Sequence, residues 1–138
     1  MPASAEPDEG FWLAVAAEAL YLANLLLLPG IAFLVLLWLW WRFREKAGPL
    51  ASAHLAQTLS ASLWGGVLLV LVNLLILLLG SYHGPHVWVV VITYFTLMHS
   101  SLVVFGAYSL AKAMAGQCWR FPLVGRPLPV QCGDRSGA

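Results

Sequence analysis

The stretch VWVVVITYFTLMHSSLVVFGAYSLAKAM, residues 87–114, decides the fold. A helix that crosses a bilayer needs about 20 predominantly apolar residues, and this stretch is longer than that. His99 lies at its centre, and an ionisable group at mid-depth is costly in lipid unless it faces protein or water. The stretch therefore predicts a membrane-spanning helix with His99 on the inner seam of a small helical bundle.

The composition extends this interpretation to the whole chain. Of its 138 residues, 61% are hydrophobic and 9% are charged, whereas a soluble domain is about 45–50% apolar and about 25% charged. Only helices and closed barrels satisfy the backbone in lipid. Barrel strands alternate apolar and polar residues, and these runs do not. A net charge of +1 gives no argument for a nucleic-acid partner.

Two more apolar stretches complete the predicted fold class, an all-α membrane protein with three transmembrane helices plus a short N-terminal interfacial helix. Phe11–Ala19 is predicted to lie at the outer interface, with Glu18 facing water. Pro29 is predicted to kink the first span. The predicted organisation is an acidic outer tail over 1–10, a membrane domain over 11–115 with spans at about 20–41, 55–79 and 87–114, and a Pro-rich cytoplasmic tail over 116–138.

The basic residues predict the orientation, because cytoplasmic loops of membrane proteins are enriched in Lys and Arg. The first loop and the C-terminal segment hold all seven: Arg42, Arg44, Lys46, Lys112, Arg120, Arg126 and Arg135. We expect a bacterial inner-membrane protein with its N-terminus outside and its C-terminus in the cytoplasm. The acidic N-terminal segment has no basic residue, so we expect no cleavable signal peptide.

Polar and small residues within the spans are the candidate functional and packing positions. The intramembrane polar candidates are Asn24, Asn73, Thr93 and His99. The small residues predicted to let helices approach closely are Gly65, Gly66, Ala107 and Ala111. Two roles stay open for His99: a polar bridge within the bundle, or a proton or ligand site.

The residue content of the sequence gives little support for a catalytic or metal-binding role. We find no Gly-rich phosphate loop, and no carboxylate in the second or third span that could pair with His99. His83 and His86 are weak metal candidates, since no carboxylate or Cys joins their loop. Cys118 and Cys132 are predicted to be ordinary thiols of a reducing cytoplasm. We therefore predict a protein that is not an enzyme and has no cofactor.

The segment after the third span is a candidate docking strip. Its central residues are Trp119, Arg120, Phe121 and Pro122. Pro122 stops any helix, and aromatic and basic side chains favour the headgroup region. We expect this tail to lie along the inner membrane face, either as an anchor or as a docking site for a partner.

The sequence KAMAGQCWRFPL, residues 112–123, resembles the C-terminal segment of a known protein family. It is similar to the close of small bacterial membrane proteins related to the twenty-kilodalton subunit of the chloroplast inner-envelope translocon (Tic). The apolar run around Pro29–Trp41 and the start of the second span at His54–Gln57 also look similar. The resemblance implies a helical membrane architecture, and the chloroplast members are described with four helices.

Three functions are compatible with these features. The favoured hypothesis is a non-enzymatic accessory subunit or assembly factor of a larger inner-membrane complex, whose partners are the lipid bilayer and other membrane subunits. The alternative is a self-assembling transport or translocation component with a polar path near His99. A minor alternative is a haem or metal carrier.

Overall fold

The computed structural model describes residues 9–79 and 81–133. The helices are α1 (Glu9–Leu26), α2 (Ile31–Phe43), α3 (Pro49–Leu78), α4 (Val87–Met114) and the single turn α5 (Val130–Gly133), with a 3-10 turn at Ser81–His83. Within these ranges there is no strand, which confirms the predicted all-helical class. Nearly all of the predicted acidic tail, residues 1–8, lies outside the described residues, as does Arg135.

The first apolar stretch forms a helical hairpin. α1 ends at Leu26 and α2 begins at Ile31, and Ala17 of α1 packs against Leu36 of α2. A straight or merely kinked helix cannot bring these two residues together, so α1 and α2 are antiparallel. The sequence predicted one kinked span over 20–41 preceded by an interfacial helix, and the structure has two helices here, so the three predicted spans are not confirmed.

The hairpin turn depends on three residues. Pro29 cannot continue the hydrogen-bond pattern of α1, and Gly30 has φ +88°, a backbone conformation that glycine adopts without strain. The Asn24 side chain accepts a hydrogen bond from the Gly30 amide at 2.9 Å. Asn24, predicted as an intramembrane polar candidate, therefore caps the turn.

α3 and α4 are the two helices long and apolar enough to cross a membrane. With 30 and 28 residues, they rise about 45 and 42 Å, more than the roughly 30 Å of a hydrocarbon core. α2 has 13 residues and rises only about 20 Å. The described chain thus has two candidate spans and a shorter hairpin, which indicates a membrane protein.

The bundle is well packed at one end and open at the other. We call the hairpin, the first turns of α3 up to Ala61, and the chain from Gly106 to Gly133 the packed end, because the fully buried residues lie there. The rest of α3 and the first half of α4 form the open end. There, large apolar side chains such as Val70, Leu78 and Val89 are exposed, as they would be on a surface that faces lipid.

Gly106 lets α1 approach α4. A Cβ atom at this position would lie 2.6 Å from Cε1 of Tyr21 and 2.9 Å from Cδ2 of Leu22. The buried face of α4 comprises Gly106, Ser109 and Ala113. The small-residue stripe predicted at Ala107 and Ala111 lies instead on an exposed face, because the position of the hairpin, and not composition alone, selects the face that packs.

Gly106→Val should therefore lower the free energy of unfolding by about 1–3 kcal/mol, the usual cost of overpacking. Gly66→Val is the matched control, since a Cβ there would meet nothing within 4 Å. Both changes place the same side chain inside a helix, so their difference reports the contact with Tyr21. Unfolding by titration with SDS in mixed micelles measures it, and equal midpoints for the two variants would contradict the close approach.

Candidate functional site

Three polar side chains from three different helices meet at the packed end. Glu18 of α1, His54 of α3 and Ser109 of α4 are each fully buried. Glu18 was predicted to face water at the outer interface, which is wrong. The hairpin carries it into the bundle, level with the start of α3. We call Glu18, His54 and Ser109 the polar centre.

The hydrogen bonds of the polar centre converge on one carboxyl oxygen. Ser109 Oγ donates to Glu18 Oε1 at 2.6 Å, and His54 Nδ1 lies 2.6 Å from the same oxygen. The other ring nitrogen, Nε2, lies 3.0 Å from the backbone carbonyl of Gln117. A carbonyl can only accept, so Nε2 carries a hydrogen. The short bond between His54 and Glu18 then holds one further proton between the ring and the carboxyl group.

This proton makes the buried pair neutral as a whole, whichever partner holds it. An unpaired charge in a low-dielectric interior is very unfavourable, and pairing with good hydrogen bonds is what makes it tolerable. Glu18 Oε2 has no hydrogen-bond partner among the described residues. The described hydrogen bonds that hold the Glu18 carboxyl group inside the bundle are thus those with His54 and Ser109.

The chain after α4 folds back over the polar centre, and we call residues 117–126 the strap. Gln57 Nε2 donates to the Arg126 carbonyl at 2.6 Å, and its Oε1 accepts from the Arg126 amide at 3.1 Å. Ser60 Oγ donates to the Val124 carbonyl at 2.7 Å. His54, Gln57 and Ser60 recur at intervals of three residues, so they lie along one face of α3. The side chains on that face therefore bind backbone groups of the strap.

Phe121 fixes the strap to the core. Its side chain is only 2% exposed and packs edge-on against Tyr21, with ring centroids 5.5 Å apart. The expectation that Phe121 lies in the headgroup region is therefore wrong, because the fold-back places it beside Ala61 inside the bundle. Of the predicted docking residues, Arg120 and Pro122 are exposed and Trp119 is half-buried.

The two cysteines close the strap into a ring. Cys118 and Cys132 form a disulfide, with Cα atoms 5.8 Å apart. The prediction of two free thiols is wrong for this structure. It considered only the predicted compartment, whereas the fold-back of the strap brings the two sulfur atoms together.

A second feature lies near the middle of α3 and α4, where the hairpin tip meets the open end. A groove of about 860 Å³ opens there, lined mainly by apolar side chains. His99 stacks on Phe95 in its wall, with ring centroids 5.2 Å apart. Ser62 and Tyr94 belong to the groove wall, and their hydroxyl oxygens are buried behind it without a hydrogen-bond partner in the described part of the chain.

The predicted polar candidates do not come together at one site. Asn24 and His99 both line the groove, but Asn73 binds the Leu69 carbonyl of its own helix at 2.7 Å and the Tyr82 hydroxyl. Thr93 is exposed. Among the predicted packing residues, a Cβ atom added at Gly65 would lie 3.5 Å from Cδ1 of Leu102. Thus Gly65 contacts α4, whereas Gly66 borders the open groove.

The weak metal candidates stay apart from other ligands. His83 and His86 are exposed near the turn between α3 and α4. Among residues 9–79 and 81–133, no three His, Cys, Asp or Glu side chains cluster as a metal site would require. His54, the best buried histidine, uses both ring nitrogens in hydrogen bonds.

The polar centre is the site that the sequence interpretation missed. One signal could have indicated it: Glu18 is the only acidic residue between Phe11 and Trp41, and His54 opens the polar face of the next apolar stretch. A lone carboxyl and a lone imidazole in apolar surroundings are candidates for a pair. The role of Ser109 and of the Gln117 backbone carries no such signal.

The fold and the site define a small all-helical protein with two candidate spans, a helical hairpin and a buried polar centre. Comparisons of the chain with protein-family models, with curated proteins and with solved structures found no match.

Proposed function

We propose that the chain is a non-enzymatic accessory subunit or assembly factor of a larger bacterial inner-membrane complex, and that the groove accepts a transmembrane helix of a partner subunit. The observation that supports this most directly is the groove itself, of about 860 Å³, together with two residues of its wall, Ser62 and Tyr94, whose buried hydroxyls have no hydrogen-bond partners among the described residues. The proposed relationship to the Tic-related bacterial proteins is consistent with it, because it too concerns a small helical membrane architecture.

The chemistry of the groove favours a helix over a lipid chain as its occupant. A buried hydroxyl without a partner is unfavourable, and an acyl chain has no group that could donate to it or accept from it. Gly66 borders the open groove, with nothing within 4 Å of an added Cβ, so a helix backbone could approach closely there. The expected partner helix carries small residues and one Ser, Thr, Asn or Gln at mid-depth.

We further propose a topology in which α3 and α4 cross the membrane and the hairpin enters from one side and returns to it. Both ends of the hairpin and the strap then lie on the same side. The described basic residues all belong to that side: Arg42, Arg44, Lys46, Lys112, Arg120 and Arg126. By the positive-inside rule this is the cytoplasm. This proposal replaces the expected three spans and the expected outer N-terminus, since the start of α1 now lies on the cytoplasmic side, and it keeps the cytoplasmic C-terminus.

The transport alternative has weaker support from the geometry. A path along the bundle would need polar groups that follow one another in depth. Between the groove and the polar centre, the interior is filled by Tyr21, Ala61 and Phe121. Asn73 and Thr93 lie away from any shared channel. We therefore retain the subunit hypothesis as the proposed function.

Gly66→Leu should weaken the partner interaction while the monomer stays folded, because the added side chain projects into the groove. Overpacking of an interface costs about 1–3 kcal/mol, or roughly 5- to 150-fold in affinity. Val89→Leu, on the exposed lipid-facing surface of α4, is the matched control. The readout is the stoichiometry of the complex after mild detergent extraction of each variant at equal expression.

A photo-crosslinking residue at Met98, which lines the groove, should also yield an adduct with the co-purifying subunit, and one at Val89 should not. A single adduct at Met98 that disappears in Gly66→Leu supports the proposal. Purification as a free monomer, with no adduct at Met98, overturns it. Ion or solute flux through proteoliposomes of the pure protein, abolished by His99→Leu, would support the transport alternative instead.

A further inference from the structure

The disulfide lies where it can control the strap. Cys118 directly follows Gln117, whose backbone carbonyl accepts a hydrogen bond from Nε2 of His54. Cys132 is 4% exposed, and its sulfur lies 3.6 Å from the carbonyl oxygen of Pro49, the first residue of α3. The bridge thus joins the beginning of the strap to a point beside the start of α3. It encloses Phe121 and the backbone groups that Gln57 and Ser60 bind.

The charge at this end indicates a reducing compartment. The basic residues of the loop between α2 and α3 and of the strap place the packed end in the cytoplasm under the proposed topology. Disulfides in the cytosol are usually transient, and they serve redox sensing or catalysis more often than structure. A bridge at this place is therefore expected to open and close.

We propose that Cys118–Cys132 is a thiol–disulfide exchange site for a cytoplasmic dithiol protein, and that its reduction makes opening of the strap more frequent. Cys118 is the more accessible sulfur, because it is half-buried whereas Cys132 is buried. A thiolate of the dithiol protein attacks Cys118 and forms a mixed disulfide, and Cys132 leaves as a thiolate that takes up a proton. The second thiol of the dithiol protein then displaces Cys118. The protein gains two thiols, and the dithiol protein becomes a disulfide.

Reduction leaves the other contacts of the strap in place. Gln57 and Ser60 still bind its backbone, and Phe121 still packs against Tyr21. The ring of residues 118–132 no longer restricts the released state, so opening becomes more frequent rather than permanent. The chain-entropy estimate for a loop of about 15 residues corresponds to roughly a 100-fold rise in the open fraction.

Hydrogen exchange of the full chain in lipid nanodiscs tests the release. Peptides covering residues 117–126 should exchange roughly 100-fold faster after reduction of the wild-type protein with dithiothreitol, as the loop estimate predicts. Peptides covering α4 around His99 should not change and serve as the internal control. Cys118→Ser/Cys132→Ser should match the reduced wild type without added reductant. Unchanged exchange in the strap after reduction overturns the proposal.

Trapping tests the exchange site and the compartment. A thioredoxin that lacks its second active-site cysteine should form a mixed disulfide with Cys118 of the purified protein, and none should form with Cys118→Ser. In growing cells quenched with acid, thiol labelling should find a reduced fraction that falls after treatment with the oxidant diamide. A bridge that stays fully oxidised in untreated cells, or cysteines labelled by a membrane-impermeant reagent from outside, would overturn the proposal.

Discussion

Glu18→Leu should lower the free energy of unfolding by about 3–5 kcal/mol, the usual cost of removing one partner from a buried pair. The change leaves His54 Nδ1 and the Ser109 hydroxyl without their shared hydrogen-bond partner in a fully buried site. The midpoint of SDS-induced unfolding in mixed micelles measures the loss. Glu45→Leu, at an exposed position after α2, is the matched control and should shift the midpoint little.

The double variant Glu18→Leu/His54→Leu sharpens this test. Replacing both partners of a buried pair with apolar residues is often close to neutral. We therefore expect the double variant to be more stable than the sum of the two single changes predicts, by at least about 1 kcal/mol, a coupling typical of residues in direct contact. If the two single losses simply add, Glu18 and His54 do not form the pair described above.

Phe121→Ala should cost about 3–5 kcal/mol, the range for a buried aromatic residue. The ring is 2% exposed and packs against Tyr21 and Ala61, so its removal leaves a cavity where the strap meets α1 and α3. Leu123→Ala is the matched control, because Leu123 lies two residues away on the same strap and is fully exposed.

Limited proteolysis provides a second measurement of this change. The strap of Phe121→Ala should be cut faster than that of Leu123→Ala, since opening needs less energy once the aromatic contact is gone. A tail that only rests on the membrane surface would respond similarly to both changes. Equal stability and equal cleavage in the two variants would therefore restore the membrane-anchor interpretation of this segment.

The two candidate spans were predictable because hydropathy depends on local composition. The apolar stretch 87–114, whose limits were set by hydropathy alone, coincides with α4 (Val87–Met114). The second stretch was located correctly, but α3 begins at Pro49, six residues before the predicted start at Leu55. Pro is favourable at the first turn of a helix, so Pro49 is a signal for this earlier start.

The hairpin was not predictable in the same way. Hydropathy is continuous across Pro29 and Gly30, and such a pair is compatible with a kink or with a reversal of the chain. The choice depends on contacts between Ala17 and Leu36 and with Leu55 of α3, which are remote from the turn. Asn24 contributes only a local cap.

The polar centre and the strap were hidden for a related reason. A single Glu in an apolar stretch is usually assigned to an interface, because burial alone would be too costly. His54 offsets that cost, yet it lies 36 residues further along the chain. Gln57 and Ser60 donate hydrogen bonds to backbone atoms of the strap. Because every residue has a backbone, the sequence carries no signal that distinguishes these partners.

The long separation between the members of the polar centre has a consequence for biosynthesis. His54 follows Glu18 by 36 residues and Ser109 follows it by 91. At about 5–20 residues per second, a ribosome makes His54 about 2–7 s after Glu18 and Ser109 about 5–18 s after it. The hairpin is therefore synthesised several seconds before the last member of the polar centre, which lies in the last quarter of the chain. A chain that terminates before Ser109 would keep an incompletely satisfied carboxyl group inside the hairpin and α3, a defect that proteases and chaperones could recognise.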